Sequence, residues 1–246
     1  MITRQLESGH TPQPSLHTAK SEANDMGDIF LSASVPSRDS SFYEQSDPML
    51  IQAALRTFLY TVLGRKHLVF GGHPTISPLI LAVCEDLRVD NRAAVTIYQS
   101  TFFEQEAPKV NSRFANLVPV NANGTRESSL ELMRRVMFKR HKFEAAVFIG
   151  GQQGILDEHA QFKLHHPQAN VIALRSPGGA SASIEPLKGQ MQERSPLSPE
   201  EKDYDELLDY VGLFTNGLEI GLNSERNLSL KPSKPRHDPD NTFGKG

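Results

Sequence analysis

The sequence predicts an α/β fold in which a doubly wound parallel sheet carries helices on both faces. Five short apolar runs show no alternation of polar and apolar residues, which is typical of strands buried on both faces. Longer segments with apolar residues at helical spacing separate these runs. Strands that alternate with helices along a chain indicate parallel strands joined by right-handed crossovers.

The five predicted strands are the apolar runs themselves. They cover Ile29–Ala33, His67–Phe70, Ala93–Tyr98, Ala145–Ile149 and Val171–Leu174. A strand that is covered by helices on both sides needs no polar face, so each apolar run can form one strand of the sheet.

The first predicted helix follows the first strand and has clear start and stop signals. Asp47 suits the N-cap, Pro48 the first helical position and Gly64 the C-terminal cap. Further helices are predicted over Ser77–Leu87, Ser129–His141, Ile155–His165 and Glu200–Phe214. Ser128 and Glu131 are predicted to form a capping box for the helix over Ser129–His141.

The two ends of the chain have the composition of flexible segments. Residues 1–27 are rich in Ser, Thr, Pro, Gln and His, and residues 221–246 carry closely spaced prolines and charges. Such compositions bury too little apolar surface to offset the entropy of ordering. We therefore expect a flexible N-terminal arm over 1–27, one domain over 28–220 and a flexible C-terminal tail over 221–246.

Composition also narrows the classes of function. The formal net charge is −3 and no apolar run is long enough to span a membrane, which disfavours nucleic-acid and membrane partners. The N-terminus lacks the apolar segment of a secretory signal, and the one cysteine, Cys84, has no disulfide partner, so a cytoplasmic location is expected. No cofactor is expected, and no metal site either, because His159 and His165 fall on different faces of their helix.

Glycine-rich junctions follow the second and fourth predicted strands. Gly71–Thr75 and Gly150–Gly154 each lead from a strand into a helix. Glycine lets a ligand approach the backbone and a helix N-terminus attracts anions, so both junctions are typical of phosphate sites. Parallel strands end at one edge of a sheet, where ligands bind. Ser32, Ser34 and Pro177–Gly179, at the ends of the first and fifth strands, are expected at the same edge.

The expected ligand contacts come from these four strand ends. They are Ser32, Ser34, Gly71, Gly72, His73, Thr75, Gly150, Gly151, Gln152, Gln153, Gly154, Pro177, Gly178 and Gly179. Taken alone, each loop is more often just a tight turn, but four such loops at four strand ends together favour a site. Neither glycine loop matches the dinucleotide-binding or Walker A pattern, which disfavours hydride transfer and ATP hydrolysis.

Charged residues lie close to the second glycine junction. Asp157 and Glu158 fall in the first turn of the helix that follows Gly154. There they either complement the helix dipole or stabilise positive charge that develops on a sugar ring. On the preceding helix Arg134 and Arg135 flank an apolar stripe, and helical spacing does not choose between them. Either is a candidate phosphate ligand or an ordinary surface residue.

Several stretches resemble one superfamily. The stretch LMRRVMFKRHKFEAAVFIGGQQGILDE is similar to the signature region of the Lonely Guy phosphoribohydrolases, formerly misnamed lysine decarboxylases. These enzymes belong to the SLOG superfamily of Rossmann-like nucleotide-binding domains. The stretches IFLSASVP, FGGHPTISPLI and SPGGA are more similar to SLOG domains of bacterial defence and conflict systems. The resemblance covers about residues 28 to 190 and implies a Rossmann-like sheet.

The resemblance also implies a site and a reaction. Arg134 falls at about the position of the family's arginine, and Gly154–Glu158 matches the family's interval between glycine and glutamate. Arg134 and Glu158 would then be catalytic residues of a nucleoside 5′-monophosphate phosphoribohydrolase, an N-glycosidase, with Arg134 holding the phosphate. The sequence departs from the family at Ile149, which replaces proline, and at Ile155, which replaces threonine and removes a phosphate-binding hydroxyl.

Two functions remain open at this point, beside a third reading in which the domain is a structural module that keeps the fold without a ligand. In the first, the protein binds a phosphorylated, ribose-containing small molecule, a nucleoside monophosphate or an ADP-ribose-like signal, and hydrolyses its N-glycosidic bond. In the second, it senses such a nucleotide without catalysis and signals to an effector protein in a bacterial defence or conflict system. Because SLOG relatives commonly dimerise through helices near the site, a homodimer is expected in either case.

Overall fold

The computed structural model describes residues 27–105, 109–185, 208–221 and 224–226. Its strands are β1 (Asp28–Ser34), β2 (His67–Phe70), β3 (Val95–Ser100), β4 (Leu117–Val120), β5 (Phe143–Gly150) and β6 (Asn170–Ala173). Its α-helices are α1 (Pro48–Val62), α2 (Ser77–Asp86), α3 (Asn91–Ala94), α4 (Arg126–Arg140), α5 (Gln153–His165) and α6 (Tyr210–Gly217). Short 3-10 helices cover Thr101–Phe103, Lys109–Arg113 and Ala180–Ser183.

The six strands form one parallel sheet in the order β4-β3-β2-β1-β5-β6. The chain moves outward from β1 to β4 and then returns through α4 to place β5 on the other side of β1. The order of the strands therefore reverses beside β1, and this is where ligands bind in open α/β sheets. The predicted doubly wound, Rossmann-like class is confirmed.

Each face of the sheet packs against its own helices. On β1, the side chains of Ile29 and Leu31 join a buried apolar layer with α1, α2 and α6. Phe30 points the other way and joins a layer with α4 and α5. Its ring lies 5.0 Å from that of Phe138 and 5.7 Å from that of Phe162. Edge-to-face and stacked pairs of this kind contribute about 1 kcal/mol beyond the area they bury.

Two elements differ from the predictions in the first half of the chain. The strand predicted over Ala93–Tyr98 begins only at Val95, because the Asp90 side chain accepts the N–H of Arg92 and caps the short helix α3. β4 was not predicted at all. It lies at the sheet edge and contains Pro119, a residue that sheets tolerate at their edges since an edge strand leaves one side unpaired.

Helix starts are predicted well for α1 and wrongly for α4. The Asp47 side chain accepts the N–H groups of Met49 and Leu50, as an N-cap should. The capping box of α4 is not Ser128 with Glu131, since the helix begins earlier. Thr125 is the N-cap, and its side chain and that of Ser128 accept each other's backbone N–H groups.

The later helices also shift relative to the predictions, and parts of three predicted segments lie outside the described residues. Of the helix predicted over Glu200–Phe214, residues 200–207 are not described, and α6 begins at Tyr210 behind the N-cap Asp209. Residues 1–26 of the predicted arm and 222–223 and 227–246 of the predicted tail are likewise outside. Within the described ranges no helix combines the length and apolarity needed to cross a membrane.

Candidate functional site

The two glycine junctions flank the end of β1. On one side Leu31 pairs with Phe70, the last residue of β2 before Gly71. On the other side Ser34 pairs with Gly150, the last residue of β5. The structure therefore brings both junctions to the carboxyl edge of the sheet, as neighbours of the β1 end.

Helix α4 lies across both junctions on one face of the sheet. A Cβ atom built at Gly71 would lie 3.2 Å from Cε of Met133. The next residue, Arg134, donates from Nη2 to the carbonyl oxygen of Gly154 at 3.2 Å. Side chains of α4 thus contact both junctions on this face. The exposed positions of the two loops are His73, Pro74, Thr75, Gln152 and Gln153.

The helices that follow the glycine junctions differ from the others at their first turns. In α1, α3, α4 and α6 a side chain at the N-cap accepts a backbone N–H of the first turn. In α2 and α5 no side chain does so. The N–H groups of a first turn have no partner inside their own helix and carry the positive end of the helix dipole. The uncapped start of α5 lies beside the exposed Gln152 and Gln153.

Arg134, Glu158 and Ser32 form a connected cluster beneath this edge. Nε of Arg134 donates to Oε1 of Glu158 at 3.2 Å, and Oγ of Ser32 donates to Oε2 of Glu158 at 2.5 Å. Nη1 of Arg134 lies 3.7 Å from Oδ2 of Asp157. Both oxygens of the Glu158 carboxylate therefore have a donor, and its position is fixed by β1 and α4 together.

Burial resolves the choice between the two arginines of α4. Arg134 is 7% exposed, whereas the side chain of Arg135 is exposed to solvent. The predicted residues Arg134 and Glu158 are thus in direct contact. The guanidinium of Arg134 contacts Glu158, Gly154 and, at 3.7 Å, the carboxylate of Asp157.

The loop after β6 supports the glycine junction of β5. Gly179 packs so closely that a Cβ atom there would lie 2.7 Å from the carbonyl carbon of Gly150. The N–H of Gly150 donates to Oγ of Ser181 at 2.9 Å, and Pro177 accepts the N–H of Asp47 at 2.9 Å. Loop packing accounts for the small residues here, and the ligand role of Pro177, Gly178 and Gly179 stays a prediction.

Backbone groups of Ser34 and Gly151 are likewise used within the protein. The N–H of Gly151 donates to the carbonyl oxygen of Ser34 at 2.7 Å, and the carbonyl of Gly151 accepts the N–H of Ala180 at 2.9 Å. The donors of this junction that remain suited to a ligand are therefore those at the start of α5, from Gln152 onward.

The loop after β2 offers a histidine of defined orientation. Nδ1 of His73 accepts the backbone N–H of Thr75, with 3.3 Å between the two nitrogens. The same Nδ1 lies 2.9 Å from Oγ1 of Thr75. A neutral imidazole that accepts at Nδ1 carries its hydrogen on Nε2. His73 can therefore donate one hydrogen bond from an exposed position.

Sequence reasoning missed Asn111, which lies near the other glycine junction. Its Nδ2 donates to Oε1 of Gln99 at 2.8 Å and lies 3.6 Å from the Cβ position of Gly72. Its Oδ1 is buried and has no hydrogen-bond partner among the described residues. The residue comes from the 3-10 helix Lys109–Arg113, and no motif in the sequence marks it.

A cavity of about 400 Å³ lies elsewhere, between α1 and α6. Its lining includes Arg65 and Arg226. Nη1 of Arg65 donates to the carbonyl oxygen of Thr61 at 3.0 Å, and Nη1 of Arg226 to that of Leu63 at 2.8 Å. These guanidinium groups cap the C-terminal end of α1.

The sequence model of the SLOG cluster3 family matches residues 41–218. The chain belongs to the SLOG cluster3 family. The SLOG superfamily resemblance is thereby confirmed, and the matched span contains both glycine junctions as well as Arg134 and Glu158. Ser32 and Ser34 precede that span. No curated protein matches the chain.

Proposed function

We propose that this SLOG cluster3 protein binds a phosphorylated, ribose-containing small molecule, such as a nucleoside monophosphate or an ADP-ribose-like signal. Membership of a SLOG family supports a function related to nucleotides. The observation that carries the proposal is the missing side-chain caps of α2 and α5, the two helices that follow the glycine junctions. A helix start that no side chain caps, at the reversal point of a parallel sheet, suits a phosphate group.

The start of α5 is the stronger of the two phosphate positions. In α2, the carbonyl oxygen of His73 already accepts the N–H groups of Ile76 and Ser77 at 3.0 and 3.1 Å. In α5, the N–H groups of Gln153 and Gly154 belong to the first helical turn and lie next to exposed side chains. The phosphate would accept from these N–H groups.

Glu158 is the proposed group for chemistry on the sugar. Its carboxylate lies one turn into α5 from the phosphate position, and it could stabilise an oxocarbenium-like transition state and orient water. The resemblance implies that Arg134 holds the phosphate. Its burial and its bonds to Glu158 and Gly154 support a positioning role, in which it fixes the Glu158 carboxylate.

The binding proposal is tested with Gln153→Pro and its matched control Gln153→Ala. Both variants lose the side-chain contact of Gln153 with Asp157, and only the proline variant loses the backbone N–H. Proline suits the first helical position, and the extended conformation of Gln152 (φ −134, ψ −160) suits the residue before proline. In calorimetry with AMP, we expect Gln153→Pro to weaken binding about tenfold or more, since a hydrogen bond to a charged group contributes about 1.5–3 kcal/mol. Gln153→Ala should bind as the wild type does.

Adenosine and ribose 5-phosphate complete this experiment. Ribose 5-phosphate should compete with AMP, and adenosine should bind more weakly than AMP, because the phosphate carries the contact. Equal binding of adenosine and AMP, or AMP binding that Gln153→Pro leaves intact, would place the ligand elsewhere.

The hydrolytic reaction is tested separately with Glu158→Gln. Release of free base from nucleoside monophosphates is followed by chromatography. We expect the substitution to lower the rate about a hundredfold or more while AMP still binds, because the neutral amide cannot stabilise developing positive charge. Base release that continues at the wild-type rate rejects the role of Glu158.

One observation favours the non-catalytic sensor as a second candidate. Ile155, the residue that replaces the family's threonine, is 4% exposed and belongs to the apolar layer beneath α5. The start of α5 therefore has no hydroxyl at this position to complete the phosphate contacts. Nucleotide binding by the wild type without any base release would support the sensor.

A further inference from the structure

A second cluster of titratable side chains lies at the opposite edge of the sheet. Asp28 begins β1, His67 begins β2, and His141 is the residue that ends α4 just before β5. Asp28 pairs with His67 on one side and with Phe143 on the other. One metal-ligating atom from each of Asp28, His67 and His141 lies within 4.8 Å of the others.

The two histidines both direct Nδ1 toward the same carboxylate. Nδ1 of His67 lies 2.6 Å from Oδ1 of Asp28, and Nδ1 of His141 lies 2.9 Å from Oδ2. All three side chains are partly buried, with 15–21% of each exposed. Burial raises the pKa of Asp28, but the hydrogen bonds and charges of His141 and His67 outweigh it, and the net pKa is about 2. Asp28 is therefore an anion at neutral pH.

The far nitrogen of each imidazole has a hydroxyl partner. Nε2 of His67 lies 3.1 Å from Oγ1 of Thr96, and Nε2 of His141 lies 2.9 Å from the hydroxyl oxygen of Tyr98. A metal-bound imidazole donates its other N–H to such a partner, which fixes the tautomer and the ring orientation. In the structure each Nδ1–H is placed to donate to the Asp28 carboxylate. An ion bound here would need the hydrogens on Nε2, where the hydroxyls of Thr96 and Tyr98 can accept them, and both Nδ1 lone pairs would then point to the ion.

We propose that Asp28, His67 and His141 bind a divalent ion of the zinc class, with water at the remaining position. Two imidazole nitrogens and one carboxylate oxygen are a donor set that Zn²⁺ takes, at about 2.0–2.2 Å each. Tetrahedral ligands at this distance lie about 3.3 Å apart. The contacts of Asp28 with His67 and His141 would therefore lengthen by about 0.7 and 0.4 Å on binding.

The ion would join three segments that are distant in sequence. His67 lies 39 residues and His141 113 residues from Asp28. The proposed metal site shares no residue with the glycine junctions, Arg134 or Glu158, so this proposal is independent of the nucleotide site. Sequence spacing predicts no metal site because the ligands come from three separate elements. An ion bound only by the folded state adds to stability.

The test begins with the untagged full chain after chelator treatment and dialysis. Zinc chloride is titrated by calorimetry, and thermal unfolding is recorded with zinc and with chelator. We expect saturable binding of a single ion and a higher Tm with zinc. Cobalt(II) in place of zinc should give the visible absorption of a four-coordinate ion with nitrogen and oxygen ligands. These two measurements show whether the chain binds such an ion.

Variants then locate the ion. Asp28→Asn and His141→Gln should each weaken zinc binding about a hundredfold or more, since loss of an outer-shell partner alone costs about 10–100-fold. The control is the double variant His10→Gln, His17→Gln, which removes two other histidines of the chain and should bind zinc as the wild type does. Thermal unfolding in chelator shows which variants keep their fold.

The proposal is overturned if the wild-type chain binds no zinc saturably or gives no four-coordinate cobalt spectrum. It is equally overturned if folded Asp28→Asn and His141→Gln variants bind zinc like the wild type, or if the control variant loses the ion.

Discussion

The contact between Arg134 and Glu158 makes a prediction about stability. Arg134→Met keeps most of the buried side-chain volume but removes the charge from beside Glu158, whose side chain is only 18% exposed. We expect the free energy of unfolding to fall by about 2 kcal/mol, because a partly buried carboxylate loses its partner. In a Glu158→Gln background the same change should cost less. Urea unfolding of the four proteins measures both values.

Arg135→Met is the control for this cycle, since Arg135 is exposed on the same helix. It should change the unfolding free energy by no more than about 0.5 kcal/mol. Strictly additive losses for Arg134→Met and Glu158→Gln would show that the two side chains are not coupled.

At the level of single residues, the sequence places part of the candidate site and leaves the rest open. Helical spacing leaves Arg134 and Arg135 open, the resemblance points to Arg134 and Glu158, and burial separates the two arginines. Asn111 and the Asp28 cluster are not predictable from spacing, because each depends on how distant elements meet at a sheet edge. Such contacts become visible only once the order of the strands is known.

Among the loops, two glycines with the same φ allow a matched prediction. Gly179 and Gly124 both have φ +75, but a Cβ at Gly179 would meet Gly150, whereas one at Gly124 would meet nothing within 4 Å. Gly124→Ala should cost about 1 kcal/mol for the backbone conformation alone. Gly179→Ala should cost about 3 kcal/mol or more in thermal or urea unfolding, since it also separates two packed loops and has ψ −169, a region that is essentially restricted to glycine. Equal costs would mean that the loop after β6 does not support the β5 junction.

Elements with strong local signals are the ones that the sequence predicts. The N-cap and proline of α1 are found where the sequence places them, because the cap is a contact between near neighbours. β4 escapes prediction since Leu117–Val120 is short and contains proline, and its pairing with β3 decides its conformation. For α4, both Thr125 and Ser128 are suitable N-caps by residue type, and the earlier one, Thr125, is the N-cap in the structure.

For the molecule as a whole, α6 is an integral part of the apolar layer. The ring of Phe214 is fully buried and lies 5.2 Å from that of Phe58 on α1. Phe214→Ala should lower the free energy of unfolding by about 3–5 kcal/mol, because it leaves a cavity in this layer. Val211→Ala on the same helix, where the residue is 51% exposed, should cost about 0.5 kcal/mol or less. A small effect of Phe214→Ala in urea unfolding would show that the packing of α6 contributes little to the stability of the domain.

The fold class was predictable because apolar runs and helical segments alternate along the predicted domain. The strand order was not, since alternation does not say on which side of β1 each later strand is added.

The central position of β1 has a consequence for synthesis on the ribosome. Asp28 pairs with Phe143, about 115 residues later, whereas its pairing with His67 can form much earlier. At about 5–20 residues per second, the emerging chain presents one unpaired, apolar edge of β1 for about 6 to 23 s. During that interval chaperones compete with aggregation for the nascent protein.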